Sequence, residues 1–121
     1  MIMFFLLSTI AVMFIETVFA FDGDATFFYP GLGACGKTNS SKDFIFALPA
    51  VMFDPSPGGN PNRNRNCGRK ARVTRGANSV VVTCEDRYDG CKFGDIDLSP
   101  AAFDRIANEN EGRVKVSWEF I

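Results

Sequence analysis

Hydrophobic and polar residues alternate near the end of the chain, in the segment RVKVSWEF at positions 113–120. The hydrophobic positions of this segment are Val114, Val116, Trp118 and Phe120. Alternation with a period of two predicts a strand that buries one face. The segment DATFFY at 24–29 is also rich in β-forming residues, so a strand is expected there as well.

Two further patterns lie in the middle of the chain. The stretch RKARVTRGANSVVVTCED at 69–86 has two β-rich runs around Gly76, Ala77 and Asn78, which predicts a hairpin. The apolar stretch DFIFALPAVMF at 43–53 predicts two short buried segments separated at Pro49.

Loop and helix signals complete the pattern. Residues 55–66, PSPGGNPNRNRN, have the composition of a long exposed loop. Ser99 and Pro100 suit the cap and first position of a short amphipathic helix that reaches Ala107. The expected fold is therefore all-β with one or two short helices, and a small closed barrel would leave no exposed strand edges.

The first twenty residues form an almost unbroken apolar run that ends in Val18, Phe19 and Ala20. This pattern predicts a secretory signal peptide cut after Ala20, with a signal anchor as the alternative. Residues 21–121 would then form one extracellular domain, free of the membrane after cleavage.

Four cysteines follow the predicted leader, at positions 35, 67, 84 and 91, and the chain has no histidine. An even number of cysteines in a secreted chain favours two disulfides, with three pairings open. The lack of histidine removes Ser-His and Cys-His catalysis and argues against a zinc site. We expect no metal and no cofactor.

Charge is balanced after the predicted leader, since 13 Lys and Arg face 13 Asp and Glu once Glu16 is removed (14 − 1 = 13). Six of the basic residues lie within residues 63–75. A neutral secreted domain is a poor candidate for nucleic-acid binding. The basic stretch favours a solvated hairpin face, with contact to an anionic polysaccharide as the alternative.

Two carboxylates, Asp95 and Asp97, flank Ile96 just before the predicted helix. Residues two apart in an extended segment share one face, so both carboxylates would lie on a binding surface or on a solvated one. Asn39 begins an N-glycosylation acceptor pattern with Ser40 and Ser41, which would lie on the surface of a secreted chain.

Six segments stand in a characteristic order along the chain: GDATFFYPGLGACG, DFIFALP, NCGRKARVT, VVVTCEDRYDGC, GDIDLSPAAFDRIA and GRVKVSWEF. Together they resemble the double-psi β-barrel of the rare lipoprotein A (RlpA-like) type, in its small secreted fungal form, which is related to barwin, kiwellins and the first domain of expansins. The resemblance covers essentially all of residues 21–121. It implies a six-stranded, disulfide-tied double-psi β-barrel.

The resemblance also implies a ligand-binding groove. Asp97 matches the acid that serves as general acid in hydrolytic relatives, so it is the catalytic candidate if the chain is an enzyme; otherwise it could order the turn into the helix by accepting backbone N–H bonds. Arg87 would be available to pair with Asp95 or Asp97. The groove residues expected from the family are Thr26, Phe28, Tyr29, Asp86, Asp95 and Asp97.

Departures from the family pattern argue against hydrolysis. Asp95 and Ile96 replace the histidine and phenylalanine that precede the acid in expansins and their hydrolytic relatives, and Asp24 is a poor match for a second carboxylate. Resemblance to barwin implies the disulfide Cys35–Cys67, which leaves Cys84–Cys91.

Three hypotheses for function follow. The first is a monomeric, secreted, non-hydrolytic expansin-like protein that binds cell-wall polysaccharide in the groove. The second is an inhibitor or effector of a secreted protein, such as a cysteine protease, that uses the loops at 55–66 and 85–93. The third and least favoured is a glycosidase or lytic transglycosylase.

Overall fold

The computed structural model describes residues 20–54 and 59–121. The predicted signal peptide, apart from Ala20, lies outside the described residues. Within the described ranges, no helix is long and apolar enough to span a membrane.

Six strands and two short α-helices form the domain. The elements are β1 (Ala20–Phe27), β2 (Ile45–Pro49), α1 (Ala50–Phe53), β3 (Lys70–Arg75), β4 (Asn78–Tyr88), β5 (Ile96–Leu98), α2 (Pro100–Phe103) and β6 (Val114–Phe120). Strand β4 is the longest, because its first half (78–83) pairs with β3 and its second half (83–88) pairs with β2. Two 3-10 turns, Pro61–Arg63 and Glu109–Glu111, lie in the connections.

The strands close into a barrel in the order β1-β5-β2-β4-β3-β6. β1 pairs with β5 and β2 pairs with β4 in parallel, and the other four neighbouring pairs are antiparallel. Closure pairs each strand on both sides, which removes the exposed edges that an open sheet would leave. The predicted fold, a six-stranded disulfide-tied barrel with two short helices, is confirmed.

The barrel interior is filled by large apolar side chains, among which Trp118, Phe46 and Leu48 are almost completely buried. Trp118 comes from the alternating segment of β6 and packs against Phe21 with ring centroids 4.5 Å apart. Its indole Nε1 donates to the Gly94 carbonyl at 2.8 Å, so the polar atom of this buried ring has a partner.

The predicted hairpin, buried segments and helix are present, with boundaries that differ from the expected ones. The hairpin is formed by β3 and β4, and the apolar stretch at 43–53 divides at Pro49 into β2 and α1. The predicted helix is shorter than expected because α2 ends at Phe103. Ser99 precedes Pro100 as predicted, but its Oγ donates to the Asp43 carbonyl at 2.5 Å instead of capping α2.

One of the two predicted disulfides is present. Cys35 and Cys67 are bonded, with their Cα atoms 5.7 Å apart. The predicted pairing of Cys84 with Cys91 is wrong, since both are free thiols. Cys84 lies inside the barrel four residues before the end of β4, about 13 Å along the strand, whereas the Cys91 sulfur lies 4.0 Å from the carbonyl of Tyr88 at that end. Disulfides need Cα atoms within about 7 Å.

Candidate functional site

Four residues line up side by side across β1, β5, β2 and β4. Thr26 is the register partner of Asp97, Asp97 is the partner of Ala47, and Ala47 is the partner of Asp86. We call Thr26, Asp97, Ala47 and Asp86 the cross-strand row. Neighbouring strands lie about 4.8 Å apart, so the Cα atoms of the two aspartates are separated by about 10 Å with only a methyl group between them.

Asp97 is the more buried of the two carboxylates in the row. The residue is 6% exposed, and its Oδ1 accepts a hydrogen bond of 2.8 Å from the Thr26 hydroxyl. Burial raises the pKa of Asp97 to about 6, and the negative charge of Asp86 adds to this, while the Thr26 bond and the charge of Arg113 lower it. Asp97 therefore exchanges a proton within the mildly acidic range.

Asp86 is held by the backbone around it. Its Oδ1 accepts the N–H groups of Ala34 and Arg87, each at 2.8 Å. The bulge between β2 and β4 lies directly beside this residue and sets the direction of its side chain, because the register shifts by one residue between Phe46 and Ala47. Asp86 therefore joins the row to the loop that carries Cys35.

Asp95 does not belong to the row. Its Oδ1 accepts the Asp24 N–H at 2.9 Å, and its Oδ2 accepts the Lys92 N–H at 3.1 Å. Asp95 thus orders the turn at 92–95 that precedes β5, which is not the turn into the helix that was considered for Asp97. Of the six expected groove residues, the structure brings Thr26, Asp86 and Asp97 together and places Asp95 beside them as a structural group.

Tyr88 and Arg113 were missed by the sequence reasoning. Burial and the negative charge of Asp97 raise the pKa of Tyr88, and the charge of Arg113 acts on both groups. Arg113 itself bonds Asp24 Oδ2 at 3.1 Å. The spacing of Asp86 and Tyr88, two apart in the β4 segment, was the available signal for the tyrosine. No local signal points to Arg113.

Arg87 does not bind Asp95 or Asp97, so that expectation is wrong. Its Nε and Nη2 bind Asp54 at 2.6 and 2.7 Å, and Nη1 binds Asp89 at 2.7 Å. Arg87 follows Asp86 in β4, so its side chain leaves the opposite face of the strand. It lines a hollow of about 500 Å³ with Phe53 and Asp54, next to the row and not on it.

The aromatic residues at the end of β1 and just after it differ in exposure. Phe27 packs on Phe103 with centroids 5.0 Å apart, Phe28 is half-buried, and Tyr29 is 75% exposed. Tyr29 meets only the edge of Phe27 among the ring contacts of the described residues. Tyr29 is therefore the aromatic residue of this segment that faces solvent.

The basic stretch at 63–75 is partly paired. Arg72 lies 3.8 Å from Glu119, and Arg75 forms a two-pronged pair with Glu111 at 2.9 and 3.1 Å. The Arg69 guanidinium lies 3.5 Å from the centre of the Phe120 ring. These contacts match the interpretation of a solvated, paired hairpin face.

The glycosylation candidate Asn39 lies beside Asp43. Asn39 is half-buried, and its Nδ2 donates to Asp43 at 3.3 Å, so attachment of a glycan there stays a prediction. Among the described residues, no group of three Cys, Asp or Glu side chains is arranged to hold a metal ion.

Comparison with known proteins identifies relatives of this chain. The family model described as lytic transglycolase matches residues 20–118. The allergen Asp f 7 homolog of Arthroderma benhamiae is 30% identical over 114 residues, covering 82% of this chain and 38% of that protein. The papain inhibitor of Streptomyces mobaraensis is 32% identical over 94 residues, covering 75% of this chain and 64% of that protein. The chain thus spans less than two thirds of the length of either relative.

Two solved structures are similar as well. The Streptomyces papain inhibitor superposes with a TM-score of 0.78 at 28% identity, covering 87% of this chain and 97% of that one. A mutant expansin of Clavibacter michiganensis in complex with cellohexaose superposes with a TM-score of 0.71 at 22% identity, covering 85% and 50%. At that identity the expansin shows a shared fold alone. Because the family model extends from the first residue of β1 into β6, the chain belongs to the RlpA-like double-psi β-barrel family.

Proposed function

We propose that the chain is a secreted, monomeric, non-hydrolytic binding protein that holds a cell-wall polysaccharide chain against the cross-strand row. The observation that carries this proposal is the row itself, in which two carboxylates and a threonine lie side by side on one face of the sheet, with the small side chain of Ala47 between the carboxylates. The hydroxyl groups of a sugar chain can form hydrogen bonds with these side chains, since each hydroxyl can both donate and accept.

The expansin of the same fold is in complex with cellohexaose, and a β-linked glucan is therefore the ligand class that we choose to test first. Tyr88 is half-buried beside Asp97, and its ring could stack on a sugar while its hydroxyl bonds to one. The Arg113 side chain is 54% exposed and could donate to a sugar hydroxyl. Tyr88 lies within electrostatic range of Asp97, and the charge of Arg113 acts on both.

Hydrolysis is disfavoured by the state of the neighbouring carboxylates. An inverting hydrolase needs a second carboxylate, about 6.5 to 9.5 Å from the acid, that activates a water. Asp86 is the one across the row, but its Oδ1 is occupied by two backbone N–H groups. Asp24 is paired with Arg113 and Lys115, and Asp95 holds its own turn. Asp97 could donate a proton as a catalytic acid, whereas each of these three carboxylates is already engaged by hydrogen bonds or ion pairs within the protein.

A second candidate function is inhibition of a secreted cysteine protease. The observation in its favour is the likeness to the Streptomyces papain inhibitor, of which this chain covers 97% at 28% identity. Of the loops first considered for this role, 55–66 lies partly outside the described residues, and the first four residues of 85–93 belong to β4 instead of a loop.

The glycan proposal is tested by retention of the oxidised protein on insoluble cellulose, chitin and isolated cell wall, with reducing-sugar release followed in the same samples. We expect retention on at least one polymer without sugar release. Thr26→Val and Asp86→Asn should each weaken retention, because they remove a polar group of the row.

Asp104→Asn is the matched control, since it makes the same acid-to-amide change at an exposed position on the end of α2. Retention that is equal in all variants, or absent on every polymer, would contradict the proposal. Sugar release that depends on Asp97 would replace it with the enzymatic hypothesis.

A further inference from the structure

The loop that follows β1, residues 30–39, is fixed in place by several independent contacts. We call it the disulfide loop. Cys35 is bonded to Cys67, and its N–H donates to the Glu85 carbonyl at 3.2 Å. The next attachment is the bond from Ala34 N–H to Asp86. At Gly33 a Cβ would lie 2.4 Å from the Glu85 carbonyl oxygen, so the loop backbone lies directly against β4.

Leu32 lies at the free side of this loop, in an isolated antiparallel bridge with Thr38. The two bonds of the bridge run from Gly33 N–H to the Lys37 carbonyl at 2.9 Å and from Asn39 N–H to the Gly31 carbonyl at 3.0 Å. They flank the bridged pair, which is therefore of the kind whose own N–H and C=O groups point outward. Within the described residues, the backbone of Leu32 makes no hydrogen bond.

The side chain of Leu32 is also free. It is 77% exposed, the largest value among the exposed large hydrophobic residues of the described chain. Its neighbours Gly31 and Gly33 have no side chain, so leucine projects from a narrow piece of backbone. An exposed apolar side chain with outward N–H and C=O groups on a rigid, narrow loop has the features of a peptide that pairs with an extended backbone.

We infer that the disulfide loop is a protein-docking element that inserts Leu32 into the substrate cleft of a papain-type cysteine endopeptidase. The inference rests on the second candidate function. The outward groups of Leu32 would pair with the backbone of the cleft wall, and its side chain would fill an apolar subsite. The disulfide and the Asp86 bond keep the loop ordered before binding, so little conformational entropy is lost on docking.

The choice of partner follows from the likeness to the papain inhibitor together with the shape of the loop. A cleft that holds an extended peptide admits a narrow backbone, which the flanking glycines supply. Lys37 is the only charged residue of the loop, so no cluster of like charges opposes entry. Leu32 is not one of the four residues of the row, so the glycan proposal does not rest on it.

Inhibition of papain by the oxidised full chain, followed with a small peptide substrate, tests the inference. We expect wild type to inhibit at micromolar concentrations or below. Leu32→Asp should raise the inhibition constant at least about tenfold, as truncation of a central interface residue does. Leu32→Met should stay within about threefold, because methionine fills apolar subsites of similar size.

Ile121→Asp is the matched control, since it places the same charge on another exposed apolar side chain, and it should inhibit like wild type. If wild type inhibits and Leu32→Asp inhibits equally well, the inhibitor function stands and the role of Leu32 is wrong. If wild type fails to inhibit, the docking inference and the second candidate function are both wrong. Tryptophan fluorescence of Trp118, the single tryptophan, reports whether each variant is folded.

Discussion

The Thr26 hydroxyl donates a 2.8 Å hydrogen bond to Oδ1 of Asp97 across the parallel pair β1 and β5. This bond favours the ionised carboxylate, but burial outweighs it, and the pKa of Asp97 rises to about 6. Asp97 thus combines a fixed orientation with a proton that is exchanged in mildly acidic solution. The first two predictions follow from this combination.

Stability should fall as pH rises through the titration of Asp97. Its pKa in the folded chain is about 6 against 3.8 in the unfolded one, so the folded state holds the proton more tightly. The contribution is fully present below the unfolded pKa and is lost as pH rises to the folded pKa, a loss of about 3 kcal/mol. Urea unfolding of wild type and Asp97→Asn between about pH 4 and about pH 7 measures it.

Other carboxylates also titrate, and the pKa values of Asp24, Asp54 and Glu111 are lowered by their ion pairs. Those groups are common to both proteins, so the difference between wild type and Asp97→Asn isolates Asp97. The variant should gain stability relative to wild type as pH rises. A difference that is constant with pH would mean that Asp97 titrates normally.

Polysaccharide binding should weaken as pH rises above about 6. A bound sugar chain would cover Asp97 and remove it further from water, which favours the protonated carboxyl and couples binding to proton uptake. Retention on the polymer that binds best should therefore be greatest in the acidic range. The side chain of Asp97→Asn is always neutral, so this variant should bind with little pH dependence. If the variant shows the same pH dependence as wild type, Asp97 is not the group that causes it.

Removal of the disulfide should destabilise the domain substantially. Cys35 and Cys67 are 32 residues apart, and closing such a loop contributes about 3.5 kcal/mol in the chain-entropy account. Unfolding of a Cys35→Ser, Cys67→Ser double variant checks this value. A loss below about 1 kcal/mol would show that the remaining contacts of the disulfide loop suffice.

Thiol reagents should find two free cysteines per chain in denaturant, and Cys84 should not react in the native state. Cys84 is completely buried, and burial raises the pKa of its thiol to about 12. The pKa of Cys91 is also raised to about 12, chiefly by burial and by the charge of Asp95, so this half-buried thiol should react slowly. Finding no free thiol in the denatured, unreduced protein would restore the pairing of Cys84 with Cys91.

The close approach of the disulfide loop to β4 should make Gly33 sensitive to substitution. A Cβ there would lie 2.4 Å from the Glu85 carbonyl oxygen, so Gly33→Ala must displace the backbone and should cost about 1 to 3 kcal/mol. Gly31→Ala is the matched control, because no atom lies within 4 Å of its added Cβ, and it should change stability by less than about 1 kcal/mol. Equal unfolding midpoints for the two variants would contradict this packing.

Local patterns in the sequence were enough for the elements that depend on near neighbours. The alternation in β6 and the Gly76 turn of the β3 and β4 hairpin specify their strands directly, and Pro49 divides β2 from α1. The family resemblance added the closed six-stranded barrel and the Cys35–Cys67 bond, both of which the structure contains.

Features that depend on the register across several strands could not be predicted from local sequence patterns. Asp97 and Asp86 lie in one row only because β2 runs between their strands and a bulge shifts the register of β2 and β4 beside Ala47. The partners of Arg87 are set by where α1 ends, which places Asp54 beside it. The second disulfide was wrong because counting cysteines carries no information about which face of β4 Cys84 occupies.

The central claim, that the cross-strand row binds a glucan chain, is tested most directly by titrating the ¹⁵N-labelled protein with cellohexaose and following the backbone amide signals. The account predicts that the largest shifts cluster on β1, β5 and the end of β4, at Thr26, Asp97 and Asp86. They should be greatly reduced in Thr26→Val. Shifts confined to the disulfide loop around Leu32, or no shifts at millimolar cellohexaose, would contradict it.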